Sequence, residues 1–321
     1  MTGTGTAQDP YVVNDWDEFV TAIGTNQAYV EFPKQLVLTS DTTVQQGKMY
    51  VDDNGELIID PKNSEISSYY ENTFVIDFND YYPYGYGLTS NNRIQIRAVS
   101  INGKGGMIKN LNVYSDSSYG TEKFFAYYQY EGLGLSITNL SFANIICENC
   151  DLIGNNYSGP YGNKVKSCHF SGSITADTAN SRGASLINFS DRYGSGLFAG
   201  AVSCGFNIEL HGKANWCKTD APHNSRYSRF EITGDTTATI LMKGKHNYII
   251  GELDNSSIEI SADEERSIYD INVDSITGTN TAHTLANSDK CSDISEGITA
   301  VTTEQLQDAE YLRSIEFLIQ L

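Results

Sequence analysis

Apolar positions along this chain fall into a six-residue pattern, apolar-x-x-apolar-x-apolar, usually with a polar residue just before the second apolar slot. It reads Ile108-Lys109-Asn110-Leu111-Asn112-Val113, Ile137-Thr138-Asn139-Leu140-Ser141-Phe142 and Cys147-Glu148-Asn149-Cys150-Asp151-Leu152. It returns as Val165-Lys166-Ser167-Cys168-His169-Phe170 and Ala201-Val202-Ser203-Cys204-Gly205-Phe206, with looser copies over residues 227–232, 248–253 and 268–273. The copies are short, rich in β-branched and aromatic residues, and bounded by Gly, Asn, Ser or Asp, so they predict strands separated by turns. All three apolar slots turn inward only if the strand bends at the polar slot. Asn110, Asn139 and Asn149, followed by Ser167 and Ser203, are therefore expected at bends, where Asn tolerates left-handed backbone. Stacked coils would align these amides into a ladder.

The middle slots fall at 111, 140, 150, 168, 204, 230, 251 and 271. Self-similarity at roughly twenty to forty residues is the mark of a stacked solenoid, whose function lies on its outer faces and ends. The step from Leu140 to Cys150 is too short for a coil, so Cys147 to Leu152 is expected to be a neighbouring strand of the same coil. Unrelated antiparallel strands would not keep both the apolar slots and the polar one in five copies.

These segments resemble the coils of right-handed parallel β-helix proteins of the pectate-lyase-like superfamily, which carry an apolar-x-Asn-Cys/Leu-x-apolar stretch. The resemblance covers roughly residues 90 to 275 and implies an all-β solenoid. It implies no particular activity, because lyases, hydrolases, adhesins and viral spikes share the fold. The opening Gly3-Thr4-Gly5-Thr6-Ala7-Gln8-Asp9-Pro10-Tyr11, with Trp16-Asp17-Glu18-Phe19 after it, is similar to the start of many phage and prophage β-helix proteins.

Both ends read as caps. Asn14 is expected to cap a helix with Trp16, Phe19, Val20 and Ile23 on one face, ended by Gly24. Strands are expected around 29–32, 36–38, 49–51, 57–59 and 73–78. Asn54-Gly55 signals a hairpin, a better use of Asp52, Asp53 and Glu56 than a calcium loop. Thr302-Thr303-Glu304-Gln305 offers a capping box for a helix to about Ile315, whose apolar residues must dock on the last coil or on a partner. The expected organisation is an N-terminal cap with first strands over 1–90, coils over 91–298, and a C-terminal capping helix and tail over 299–321.

The formal charge of −19 argues against a nucleic-acid partner, since phosphate binding needs clustered Lys and Arg. It keeps a long β-surface soluble and leaves a cationic or neutral glycan as a partner class. No stretch is long and apolar enough to insert in a membrane. The start has neither a basic region nor an apolar run, so a secretory signal is not expected; a virion protein assembled in the host cytoplasm fits that reading. Of the six cysteines, Cys150, Cys168 and Cys204 are assigned to one repeat slot and Cys147 to another, which makes them small buried apolar residues. Cys147-x-x-Cys150 with Cys168-His169 lacks the second matched pair of a zinc site, so no metal and no cofactor are expected. Asn102-Gly103-Lys104-Gly105-Gly106 reads as a turn between coils rather than a phosphate loop.

The most unusual local composition is Tyr81-Tyr82-Pro83-Tyr84-Gly85-Tyr86-Gly87. Pro and Gly deny it a regular strand, and exposed Tyr can stack on sugars or anchor an interface. Tyr81, Tyr82, Tyr84 and Tyr86, with Tyr127, Tyr128 and Tyr130, are the candidate glycan or partner contacts. Glu148, Asp151, Asp191 and Asp270 are carboxylates that a hydrolase of this fold might pair, but no catalytic constellation is assigned. The function expected is that of a phage virion component (tail, baseplate or capsid surface) that binds a host-surface glycan or neighbouring virion proteins. A polysaccharide lyase or hydrolase, or a bacterial surface adhesin, is the alternative. A homo-oligomer is compatible, although no coiled-coil heptads specify one.

Overall fold

The computed structural model describes residues 1–33, 49–51, 57–59, 74–81, 88, 92–115, 122–128, 134–155, 163–177, 184–188, 200–202, 204–217, 224–226, 229–234, 239–242, 244–245, 248–261, 267–279, 284–315 and 317. They form a mostly parallel β-structure with few helices, consistent with an all-β parallel solenoid. The chain divides into two compact units, the first comprising residues 1–37, 70–200 and 210–223 and the second 38–69, 201–209 and 224–321.

In the first unit, Tyr29–Glu31 pairs with Ser100–Tyr114, which pairs with Ser136–Glu148, which pairs with His169–Ala176, all in parallel. A second parallel sheet runs Ile94–Ile96, Glu122–Tyr127, Cys150–Asn155, Ser185–Asn188 and Asn215–Cys217. Each coil contributes a strand to each sheet. Ser141 pairs with His169 and Glu122 with Cys150, an advance of 28 residues in both sheets. Parallel strands are buried between layers, and equivalent side chains from successive coils stack. Phe142 lies flat on Phe170, with centroids 5.1 Å apart and planes 3° from parallel. Such a ring pair is worth about 0.5–1.5 kcal/mol beyond the area it buries.

The second unit has shorter coils. Arg229–Gly234, Tyr248–Leu253, Ile268–Asn272, Leu285–Asn287 and Thr299–Val301 form one parallel series. Thr239–Met242, Ser257–Ser261, Ser275–Thr279 and Asp293–Ile294 form the other. Thr239, Ser257, Ser275 and Asp293 occupy one register column, each 18 residues after the last. The expected hairpin forms between Met49–Val51 and Leu57–Ile59, while residues 52–56 lie outside the described residues.

The polar slots do bend the chain. Asn110, Asn139, Asn149 and Ser167 have φ of 54°, 50°, 56° and 53°, in the left-handed region. Ser203 lies outside the described residues. The slots are not one column, however. Leu140 belongs with Cys168, since Thr138 pairs with Lys166 and Ser141 with His169, whereas Leu111 belongs with Ile145 and Cys150 starts a strand of the second sheet. The hexad marks several different corners of the coil, because every corner needs the same left-handed residue before an inward apolar one. As expected, the strand beginning at Cys150 follows Ser136–Glu148 within one coil. Residues 102–106 are a kink inside Ser100–Tyr114, with Lys104 at φ 51° and Gly105 at φ 80°, and not a connection between coils.

The N-terminal helix spans Trp16–Ile23, but its cap is Asp15, whose side chain accepts from the Glu18 amide at 2.8 Å. Asn14 instead directs its backbone and side-chain nitrogens to Glu18 Oε2, at 2.8 and 2.9 Å. Glu18 also takes the N-terminal ammonium, and this bond, followed by the Asn14 amide, holds its carboxyl below the ordinary value. The helix buries Phe19, Ala22 and Ile23, and Trp16 stacks on Phe124 with its edge to Phe78. The opening Gly-rich motif is part of this cap. A Cβ on Gly3 would overlap the Pro10 carbonyl, and one on Gly5 would enter the Tyr11 ring.

At the other end the capping box forms as expected, with Thr302 accepting from Gln305 and the Gln305 side chain accepting from Thr302. The single expected helix is two, Thr303–Gln307 and Ala309–Ser314. Asp308 sits between them in extended backbone, and its carboxylate accepts from the Glu310 and Tyr311 amides, which starts the second helix. Leu306, Leu312 and Phe317 pack on Tyr248, Ile268, Leu285 and Val301.

Candidate functional site

The strand Val75–Tyr81 carries the most exposed polar arrangement. Asp77 Oδ1 accepts from the Asn79 amide at 2.9 Å and from Asn110 Nδ2 at 2.8 Å, while Lys109 Nζ lies 3.1 Å from Asp77 Oδ2. The first of these bonds, then the second, holds the Asp77 carboxyl below its ordinary value. Asn144 Nδ2 donates to Asn110 Oδ1 at 2.8 Å and reaches Asp80 Oδ1 at 3.3 Å, and the Asn144 amide donates to Ser171 Oγ. The register explains the alignment: Asp77 pairs with Lys109 and Lys109 with Ala143, so Asn110 and Asn144 follow at the same level. Asn79, Asp80, Asn110 and Asn144 all have positive φ, between 52° and 60°. The amide ladder expected from the hexads therefore exists at this corner, with Asn144 as a member that the hexads do not contain. A second rung links Asn139 Nδ2 to Asn102 Oδ1 at 3.5 Å.

The tyrosines separate. Tyr81 ends the ladder strand. Tyr82, Tyr84, Tyr86 and Tyr130 lie outside the described residues. Tyr127 is buried, 1% exposed, and burial pushes its hydroxyl well up, so its ring belongs to the core and offers no partner surface. Aromatic alternation misleads here because both faces of the strand end Phe124 to Tyr127 are covered. Tyr128 is half-buried under the Arg93 guanidinium, 5.2 Å from the ring centroid.

The carboxylates separate as well. Glu148 is exposed at a strand end, and Asp191 lies outside the described residues. Asp270 is a tether: Oδ1 accepts from Asn287 Nδ2 at 2.7 Å and Lys290 Nζ at 2.9 Å, and Oδ2 from the Tyr248 hydroxyl at 3.3 Å. Asn287 Nδ2 also donates to Thr303 Oγ1, tying the last coils to the cap. Asp151 is fully buried and accepts from the Ser185 amide, the Ser185 hydroxyl and Asn188 Nδ2 at 2.9, 2.7 and 2.7 Å. Sequence patterning missed this network, since only the coil register brings Asp151 level with Ser185.

Cys147, Cys150, Cys168, Cys204 and Cys291 are buried free thiols. Cys168 donates to the Lys166 carbonyl and Cys204 to the Val202 carbonyl, each at 3.3 Å, the same contact on two coils. Burial, with Cys147 beside it, pushes the Cys150 thiol well up, so it is inert as a nucleophile or ligand. Among the described residues, no three His, Cys, Asp or Glu side chains form a group that could hold a metal ion, and no helix is long and apolar enough to cross a membrane.

Fold and surface together define an all-β protein of parallel coils with a polar amide ladder on one corner. Comparison with family models, curated proteins and solved structures gives no match.

Proposed function

We propose that the chain is a right-handed parallel β-helix serving as a structural protein of a phage virion, on the tail, baseplate or capsid surface. There it holds a host-surface glycan or a neighbouring virion protein. The observation that carries this reading is what converges on the strand Val75–Tyr81. Its Asp77 begins the ladder through Asn110 and Asn144, and its last residue opens the run of tyrosines. Amides and carboxylates offer the paired donors and acceptors that adjacent sugar hydroxyls require, and tyrosine rings cover the apolar face of a pyranose. Repeated copies on a particle would multiply a weak contact into firm attachment. The similarity of residues 3–19 to phage proteins supports the virion setting, and here those residues build a cap.

The test is binding of the purified chain to host capsule and cell-wall glycans and to virion proteins. Replacing Tyr82, Tyr84 and Tyr86 with Ala is expected to weaken binding without unfolding, and unchanged binding rejects this contact site. New reducing ends or unsaturated products would favour a polysaccharide-cleaving enzyme instead.

A further inference from the structure

We propose that Lys123, Asp151 and Asn188 are an autocatalytic cross-linking site, in which the Lys123 amine displaces the Asn188 side-chain nitrogen and joins two coils by an isopeptide bond. Lys123 lies in Glu122–Tyr127 and Asn188 in Ser185–Asn188, the two strands that flank Cys150–Asn155 in the second sheet of the first unit. One carboxylate oxygen gathers both partners. Asp151 Oδ2 accepts from Asn188 Nδ2 at 2.7 Å and lies 4.0 Å from Lys123 Nζ.

An independent feature brings the same two residues together. Gly154 leaves open a slot on the intervening strand, and a Cβ built there would sit 2.8 Å from both Lys123 Cδ and the Asn188 carbonyl oxygen. The lysine stem thus crosses the middle strand where a side chain would block it, and its head ends beside the amide. The setting is dry: Asp151 is fully buried and the Lys123 side chain is 15% exposed. Ser185 fills Asp151 Oδ1 with two bonds, which fixes the carboxylate and leaves Oδ2 to face the reacting pair.

The chemistry balances without a co-reactant. Lys123 passes a proton to Asp151, and the freed Nζ attacks Asn188 Cγ to give a tetrahedral adduct. A second Nζ proton moves to Nδ2, the Cγ–Nδ2 bond breaks, and ammonia leaves with the proton that Asp151 returns. One amide is exchanged for another, and the carboxylate is regenerated. A buried carboxylate is suited to this shuttle because proton transfer neutralises it at the moment the amine must become a nucleophile. The product would clamp three successive strands, a useful property for a protein pulled from outside.

The experiment is intact-mass measurement of the purified full chain under denaturing conditions, with peptide mapping. The expected result is a mass lower than the sequence sum by one ammonia, with a branched peptide joining Lys123 to Asn188. A mass equal to the sequence sum overturns the proposal. So does an ammonia loss without the branched peptide, as ring closure at Asn54-Gly55 would give. Asp151→Asn is expected to abolish the loss, and full cross-linking in that variant refutes the shuttle. Where that variant does not fold, Lys123→Arg keeps the cation and serves as the unlinked reference, and it must show the uncorrected mass.

Discussion

Asn144 donates its side-chain amide to the Asn110 side-chain carbonyl at 2.8 Å, one rung along from the bond that Asn110 makes to Asp77. Both asparagines hold left-handed backbone, so each supplies a bend and a rung at once. The two contributions can be separated by substitution.

Asn110→Ala loses the rungs and places an ordinary side chain at φ 54°, whereas Asn110→Gly loses the rungs and keeps an easy bend. The left-handed backbone costs about 1–2 kcal/mol for a non-glycine residue. Urea unfolding is expected to rank the variants wild type, then Gly, then Ala. Equal stability of Gly and Ala would show that the bend is not strained.

Gly251, at φ 123°, pairs with Ile232 on one side and Ile271 on the other, and a Cβ there would overlap the Ile232 carbonyl. Gly251→Ala is expected to cost about 3 kcal/mol or more, combining disallowed backbone with displacement of a ladder strand. Gly24 is the control. Its φ is −75°, and Gly24→Ala is expected to stay within about 1 kcal/mol of wild type by the same unfolding assay.

Leu312 is 0% exposed in the C-terminal cap cluster with Tyr248, Ile268 and Leu285. Leu312→Ala is expected to destabilise by about 2–5 kcal/mol, with the spread set by how far the cap can collapse. Proteolysis should then begin at the end of the chain. Wild-type resistance at that end would mean the cap is held by its polar tethers alone.

Asp289 accepts from the Thr303 amide at 2.8 Å at the start of the cap helix, and this bond holds its carboxyl below the ordinary 3.8. A depressed folded value means stability that is present above the unfolded pKa and lost as pH falls through the folded one. The melting temperature of Asp289→Ala should therefore trail wild type at neutral pH, with the gap narrowing below the ordinary carboxylate range. A gap independent of pH would assign the effect to packing.

How far the residues announced this arrangement depends on the range of the interaction. Bends at Asn110, Asn139, Asn149 and Ser167 are local choices, made by the residue and its neighbours, and they stood out at once. Whether Leu140 stacks on Cys168 or on Cys150 depends on coil length, which the corner motif does not encode because all corners share it. The same limit hid Asn144, which stands outside a hexad, and the Asp151 network, whose partners are more than thirty residues downstream. Helix ends were legible to within a residue at Asp15, but not at Asp308, where a carboxylate that can cap also interrupts. Tyr127 shows the reverse failure: a tyrosine-rich run looked like surface until the layer over it was visible.

The constant advance of eighteen residues through Thr239, Ser257, Ser275 and Asp293 has an evolutionary side. A segment of that length can be duplicated or deleted while every neighbour keeps its column, so the second unit can change length by whole coils. The first unit, whose coils advance by 28 residues at some steps and 34 at others, such as Ile153 to Ile187, has no such interchangeable piece. Novelty there must come instead from what is inserted between strands, and the two halves of the chain are free to diversify by different genetic events.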